Sequence, residues 1–162
     1  MENGQYKKVT IDFDKYKVRK FVPHMFYSYQ YEGAGCGPAT LSLLTGLDPA
    51  ITTKLLNHKD SQDKDLLKQL KKQGIQYYPI TKCEMTNTHY VTASKLTSQH
   101  VILMSQLFIK NEASWGILYD DIYYHNFRPC SSSCLDLLNR PVLSAYVLWK
   151  PSWGKPDKKN SF

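Results

Sequence analysis

The sequence predicts an α+β domain, with helices in its first half and an antiparallel sheet in its second. Three observations carry this expectation. Helix caps and glycine stops cluster between Pro38 and Gly74. Apolar, β-prone runs without helical spacing fill residues 101–109, 114–124 and 143–149. The chain has 162 residues, enough for one domain that buries a core without staples.

The elements follow in order. Residues 1–20 are polar and charged, with one alternating piece at 9–13, and read as a basic arm or edge strand. Residues 24–31 are aromatic. Pro38 to Leu44 reads as a short buried helix, with proline in its first turn and Gly46 as its stop. Asp48-Pro49 is a cap followed by a first-turn proline, starting a second helix that runs to about Asn57. Residues 61–73 form the clearest helix. It has early acids, late lysines, and Leu66, Leu67 and Leu70 along one face, and Gly74 ends it. A strand over 75–80 closes near Pro79. The run 101–109 and the run 114–124 read as two strands joined by a turn at Asn111-Glu112, which sets His100 opposite about Tyr123. Residues 143–149 give a last strand, and 150–162 a flexible basic tail. The domain proper is expected over 21–149.

Composition narrows the function classes. No apolar run approaches the roughly 18 residues of a membrane span, and the start has no apolar segment of the secretory kind. Cys36, Cys83, Cys130 and Cys134 are therefore expected as free thiols in a cytoplasm. The net charge of +7 is uneven. Residues 1–20 carry six basic and three acidic side chains, residues 150–162 four and one, and the body is nearly neutral. Basic ends make salt-sensitive contacts with phosphate, but nucleic acid is not expected as the main partner. Cys130 and Cys134, with Cys83 or His125, have a spacing compatible with zinc but lack a matching second pair, so no metal or other cofactor is expected. The glycines around Cys36 lack the Lys and Ser/Thr of a phosphate-binding loop.

The stretch QYEGAGCGPATL sets Cys36 between Gly35 and Gly37, ahead of a proline and a helix-forming run. A thiol becomes nucleophilic as thiolate, and a free one ionises only near pH 8.5. A helix N-terminus favours an anion. The flanking glycines let the backbone bend and a substrate carbonyl approach. Gln30, six residues earlier, could supply an amide to an oxyanion hole together with the Cys36 N–H. His100 opens an apolar strand and is the best-placed base, with His89 and His125 as substitutes; His58 and His24 are less well placed. Asp120 and Asp121 lie near the position facing His100 and could hold its tautomer, with Asn126 as a third candidate.

Gln30-x5-Cys36-Gly37, the leucine-bearing helices, the histidine-led apolar strand and an acid on the next strand together resemble the bacteriocin-processing (double-glycine) peptidases, a family of papain-like cysteine peptidases. The likeness spans about residues 28–124. It implies a papain-like fold in a stand-alone form, with Gln30 as oxyanion donor, Cys36 as nucleophile, His100 as base and Asp120 as orienter. The family's strand often carries Asp-Pro where this chain has Asp120-Asp121, so either acid remains eligible. The expected activity is hydrolysis of a peptide or amide bond in a peptide or protein substrate. The alternatives are acyl transfer or deamidation at the same site, or an inactive binding protein.

Overall fold

A computed structural model describes residues 13–26, 36–56, 63–80, 99–107, 113–120, 122–125, 127–131 and 142–154. It is a mixed helical and antiparallel architecture, as the sequence predicts. Helices α1 (Cys36–Thr45), α2 (Pro49–Leu55) and α3 (Asp63–Lys72) come first. Strands β1 (Gln76–Pro79), β2 (Val101–Leu107), β3 (Ala113–Tyr119), β4 (Ile122–His125), β5 (Arg128–Ser131) and β6 (Val142–Trp149) follow, then a helical turn α4 (Pro151–Gly154). All six strands form one sheet in the order β1-β6-β2-β3-β4-β5.

The helices form where the local chemistry directs. Asp48 accepts from the Ala50 N–H at 2.9 Å and caps α2. Gly46 and Gly74 take φ of +84° and +81° just past α1 and α3, a region glycine enters without strain. At Gly46 a side chain would also meet the His24 ring at 3.1 Å. Helix α3 buries Leu66 and Leu70 completely and turns Lys64, Lys68, Lys71 and Lys72 to solvent.

Strand β2 sits inside the sheet and is buried on both faces. Val101 and Leu103 pack with Trp115, Ile117, Tyr124 and Leu148 against Leu41, Leu44, Leu66 and Leu70 of the helices. Ile102 and Met104 belong to a second cluster with Leu118, Tyr123, Ala145, Val147 and Ile80. This explains the continuous apolar run where a half-wet strand would alternate.

Three expectations are corrected. The run 114–124 is two strands, not one: Asp120 has φ +52°, and Tyr119 pairs with Ile122 across a two-residue turn. Aspartate tolerates the left-handed conformation, so two adjacent aspartates can turn a β-prone run back on itself. A second reversal follows His125, where Phe127 has φ +65° and β5 returns, a strand absent from the sequence reading. The expectation of a flexible tail from Lys150 does not hold for its first residues. Pro151–Gly154 are helical, and Trp153 is buried with Phe21 at 4.9 Å between ring centroids. At the other end Phe13–Tyr16 form a 3-10 turn and Val18 is buried in the main core. Of the alternating piece at 9–13, residues 9–12 lie outside the described residues.

Both terminal strands of the sheet carry a proline whose position follows from the ladder. Ile80 N donates to Ala145 O at 2.9 Å, so Ile80–Ala145 is a hydrogen-bonded pair. Alternation then turns the backbone groups of Tyr78 toward β6 and those of Pro79 away from it. On β5, the two-residue connection makes His125–Arg128 a bonded pair and Tyr124–Pro129 a non-bonded one. Each proline thus lacks an N–H on the side away from its neighbour strand, where an added strand would need one.

At the β1 end, Tyr16 stacks on Tyr78 with centroids 4.2 Å apart. A side-chain hydrogen bond with Tyr16, then burial, then the Tyr16 charge push the Tyr78 hydroxyl up to about 12 from its ordinary 10.0. Folded Tyr78 thus keeps its proton at a pH where the unfolded tyrosine has lost it. The contribution to stability is complete below pH 10 and is lost as pH rises toward about 12. Denaturant melts of the parent and Tyr78→Phe at pH 9, 10 and 11 should show the parent losing more stability over that interval. Parallel curves would remove the coupling.

Candidate active site

Of the site candidates, Cys36 starts α1, and His100 and Asp120 lie at one end of the β2–β3 pair. Cys36 is the first residue of α1, two residues earlier than the sequence start at Pro38. Helix α1 lies against β3 and β4, the hairpin whose turn holds Asp120, and packs on α2 and α3. Its first turn is tied down from behind. Thr52 Oγ1 donates to Pro38 O at 2.9 Å, with Pro49 O at 3.2 Å, and shares a 2.8 Å bond with Ser42 Oγ. Thr52 and Ser42 are fully buried, so the bonds between them and to Pro38 O satisfy groups that water cannot reach.

His100 immediately precedes β2 and is 3% exposed. Strands β2 and β3 pair Ile102 with Leu118. Carried two residues outward, the same register sets His100 opposite Asp120, not Tyr123. The sequence puts the hairpin centre at Asn111-Glu112, whereas the observed pairs, from Ile102–Leu118 to Leu107–Ala113, are symmetric about a point one and a half residues earlier. On the other side, Val101 pairs with Leu148, so Trp149 occupies the β6 position next to His100. Trp149 Nε1 is buried without a hydrogen-bond partner among the described residues.

Asp120 is exposed, and its charge reaches its neighbour. The Tyr119 hydroxyl is raised above its ordinary value by burial, with the Asp120 charge adding to the rise and a hydrogen bond from the Phe21 backbone opposing it. The register thus assigns His100 and Asp120 to facing positions just past the last paired residues, in line with Ile102 and Leu118 on the face away from α1.

The substitute histidines separate clearly. His125 Nε2 is bonded to Ser114 Oγ at 2.6 Å. It lies at the other end of β4 from the Asp120 turn. His24 N donates to Leu43 O at 2.9 Å, which places it at the C-terminal end of α1. A ten-residue helix is about 15 Å long, so His24 sits far from Cys36. Gln30, His58, His89, Asp121 and Asn126 lie outside the described residues, as do Cys83 and Cys134. The Ser114–His125 pair was not anticipated. Nothing in the spacing of residues 114 and 125 announces it until the turn at Asp120 folds β4 back along β3.

Among the described residues no group of three His, Cys, Asp or Glu side chains could hold a metal ion. No helix among them is long and apolar enough to cross a membrane. No family model matches the chain, and no curated protein matches it significantly.

Proposed function

We propose that the chain is a papain-like thiol hydrolase that cleaves a peptide or amide bond. The observations that support this reading are the start of α1 at Cys36, between glycines in sequence, and the facing register positions of His100 and Asp120 at one end of β2–β3. His100 takes the Cys36 proton. The thiolate attacks the substrate carbonyl, a C–S bond forms, and Gln30 with the Cys36 N–H stabilises the oxyanion. The C–N bond breaks as the amine leaves with the proton from His100. Water, deprotonated by His100, then attacks the thioester, the C–S bond breaks, and the thiolate returns. An amine in place of water gives transfer. Asp120 orients the imidazole.

The burial of His100 favours a second reading, a binding protein on the same framework whose site no longer turns over. The rate of alkylation of each cysteine against pH, read by mass spectrometry on native protein, separates the two. Cys36 alone should react quickly below pH 7, with Cys83, Cys130 and Cys134 as internal controls. A Cys36 that follows the other three removes the hydrolase reading.

A further inference from the structure

The described parts of the two basic ends meet in the fold. Residues 15–20 read KYKVRK, four cations and no acid in six positions. This segment is fixed at both ends of the candidate His–Asp pair. Val18 N donates to Gln99 O at 2.7 Å, next to His100, and the Phe21 backbone bonds the Tyr119 hydroxyl, next to Asp120. Arg19 N and Lys20 N both donate to Trp153 O, at 2.8 and 3.0 Å. Trp153 N in turn donates to Lys150 O at 2.9 Å, and Lys150 Nζ stands 5.7 Å from the centroid of the Trp153 ring. Lys15, Lys17, Arg19 and Lys20 are exposed and Lys150 is half-buried. Exposed cations some 130 positions apart in sequence are therefore carried on two segments that touch beside the site.

We propose that this surface docks an acidic polypeptide segment, which makes an acidic protein or peptide the substrate class. The inference rests on the thiol-hydrolase reading, because that reading gives the neighbouring site a polypeptide to act on. Cations clustered beside a site raise the local concentration of an anionic partner and speed its arrival. Aromatic placement favours polypeptide over single-stranded nucleic acid. Binding of unpaired bases uses exposed ring faces as stacking platforms. Here Tyr16 is stacked on Tyr78, and Phe21 and Trp153 are buried against each other. Among the described residues, the rings of these two segments are already occupied.

The test is fluorescence anisotropy on the full-length Cys36→Ala protein, which cannot turn the probe over. The probes are a labelled glutamate-rich peptide, its glutamine counterpart, and single- and double-stranded oligonucleotides of matching charge. The glutamate peptide should bind at least about tenfold more tightly than the glutamine one, and more weakly at physiological than at low salt. Lys15→Glu with Lys20→Glu should lose about tenfold in affinity, and the milder Lys15→Gln with Lys20→Gln should lose part of that. Lys64→Glu with Lys68→Glu, on the far side of α3, should change nothing. Equal binding of both peptides, indifference to the reversal at Lys15 and Lys20, or tighter binding of either oligonucleotide would overturn the inference. Because Cys36 is absent from this assay, a failure here leaves the alkylation result standing, and an inert Cys36 leaves the binding result standing.

Discussion

Replacing His100 with alanine should lower hydrolysis by about 10²- to 10⁴-fold, the usual share of a positioned base. The same change should move the pH midpoint of Cys36 alkylation up toward about 8.5, the value of a free thiol. A merely structural histidine at 3% exposure would behave otherwise. Its loss would lower the melting temperature and leave the thiol's pH profile where it was. The two effects can therefore be told apart in one variant. Asp120→Asn should cost less, about tenfold. Its carboxylate is exposed, and a charge pair at about 4 Å in a high-dielectric setting is worth about 1 kcal/mol, rising toward about 4 as water is excluded. Asp121→Asn is the paired control. The register sets Asp120, not Asp121, opposite His100, so Asp121→Asn should stay near parent activity. The reverse order of the two effects would reassign the orienter. Full activity in Cys36→Ala would end the thiol reading altogether.

Much of this arrangement was legible because its signals are local. Asp48-Pro49, Gly46 and Gly74 announce helix ends through backbone chemistry that holds whatever packs nearby, and all three sit where the sequence puts them. The run VILM signalled a strand, and its burial on both faces emerged with the packing of β2 inside the sheet. What failed was pairing. A hairpin register depends on where a connection turns, and the five residues between Leu107 and Ala113 offered Asn111-Glu112 as the plausible centre. A shift of that centre by one and a half residues moved the partner of His100 from Tyr123 to Asp120. The break inside residues 114–124 was missed for a related reason. A turn of two aspartates carries no glycine, and every neighbour is β-prone. The candidate thiol and base were thus readable from composition around single residues. Which acid stands opposite His100 became definite only with the register.

Substituting Gly116 with alanine should destabilise the fold by about 3 kcal/mol, at the upper end for forcing an extra methyl into a packed core. A Cβ at this position would stand 2.2 Å from Tyr123 Oη, 2.3 Å from Cζ and 2.7 Å from Cε1. An exposed ring could swing aside, but Tyr123 is 3% exposed and packs with Ile102, Met104, Leu118 and Val147. Gly116 lies on β3 opposite Met104, so the strand cannot retreat without breaking its pairing to β2. The favourable entropy of replacing a strand glycine, about 0.5–1 kcal/mol, is too small to offset this. For a chain of this size the melting temperature should fall by about 6–12 °C. A second substitution identifies the cause. Tyr123→Phe removes only the hydroxyl and leaves two ring carbons in the way, so Gly116→Ala with Tyr123→Phe should recover little. Tyr123→Leu removes the ring. Alone it should cost stability through the cavity it leaves, and beside Gly116→Ala it should cost less, with a coupling of about 1–3 kcal/mol. Additive losses, or a Gly116→Ala protein within about 0.5 kcal/mol of the parent, would mean that the second face of the sheet yields where its packing says it cannot.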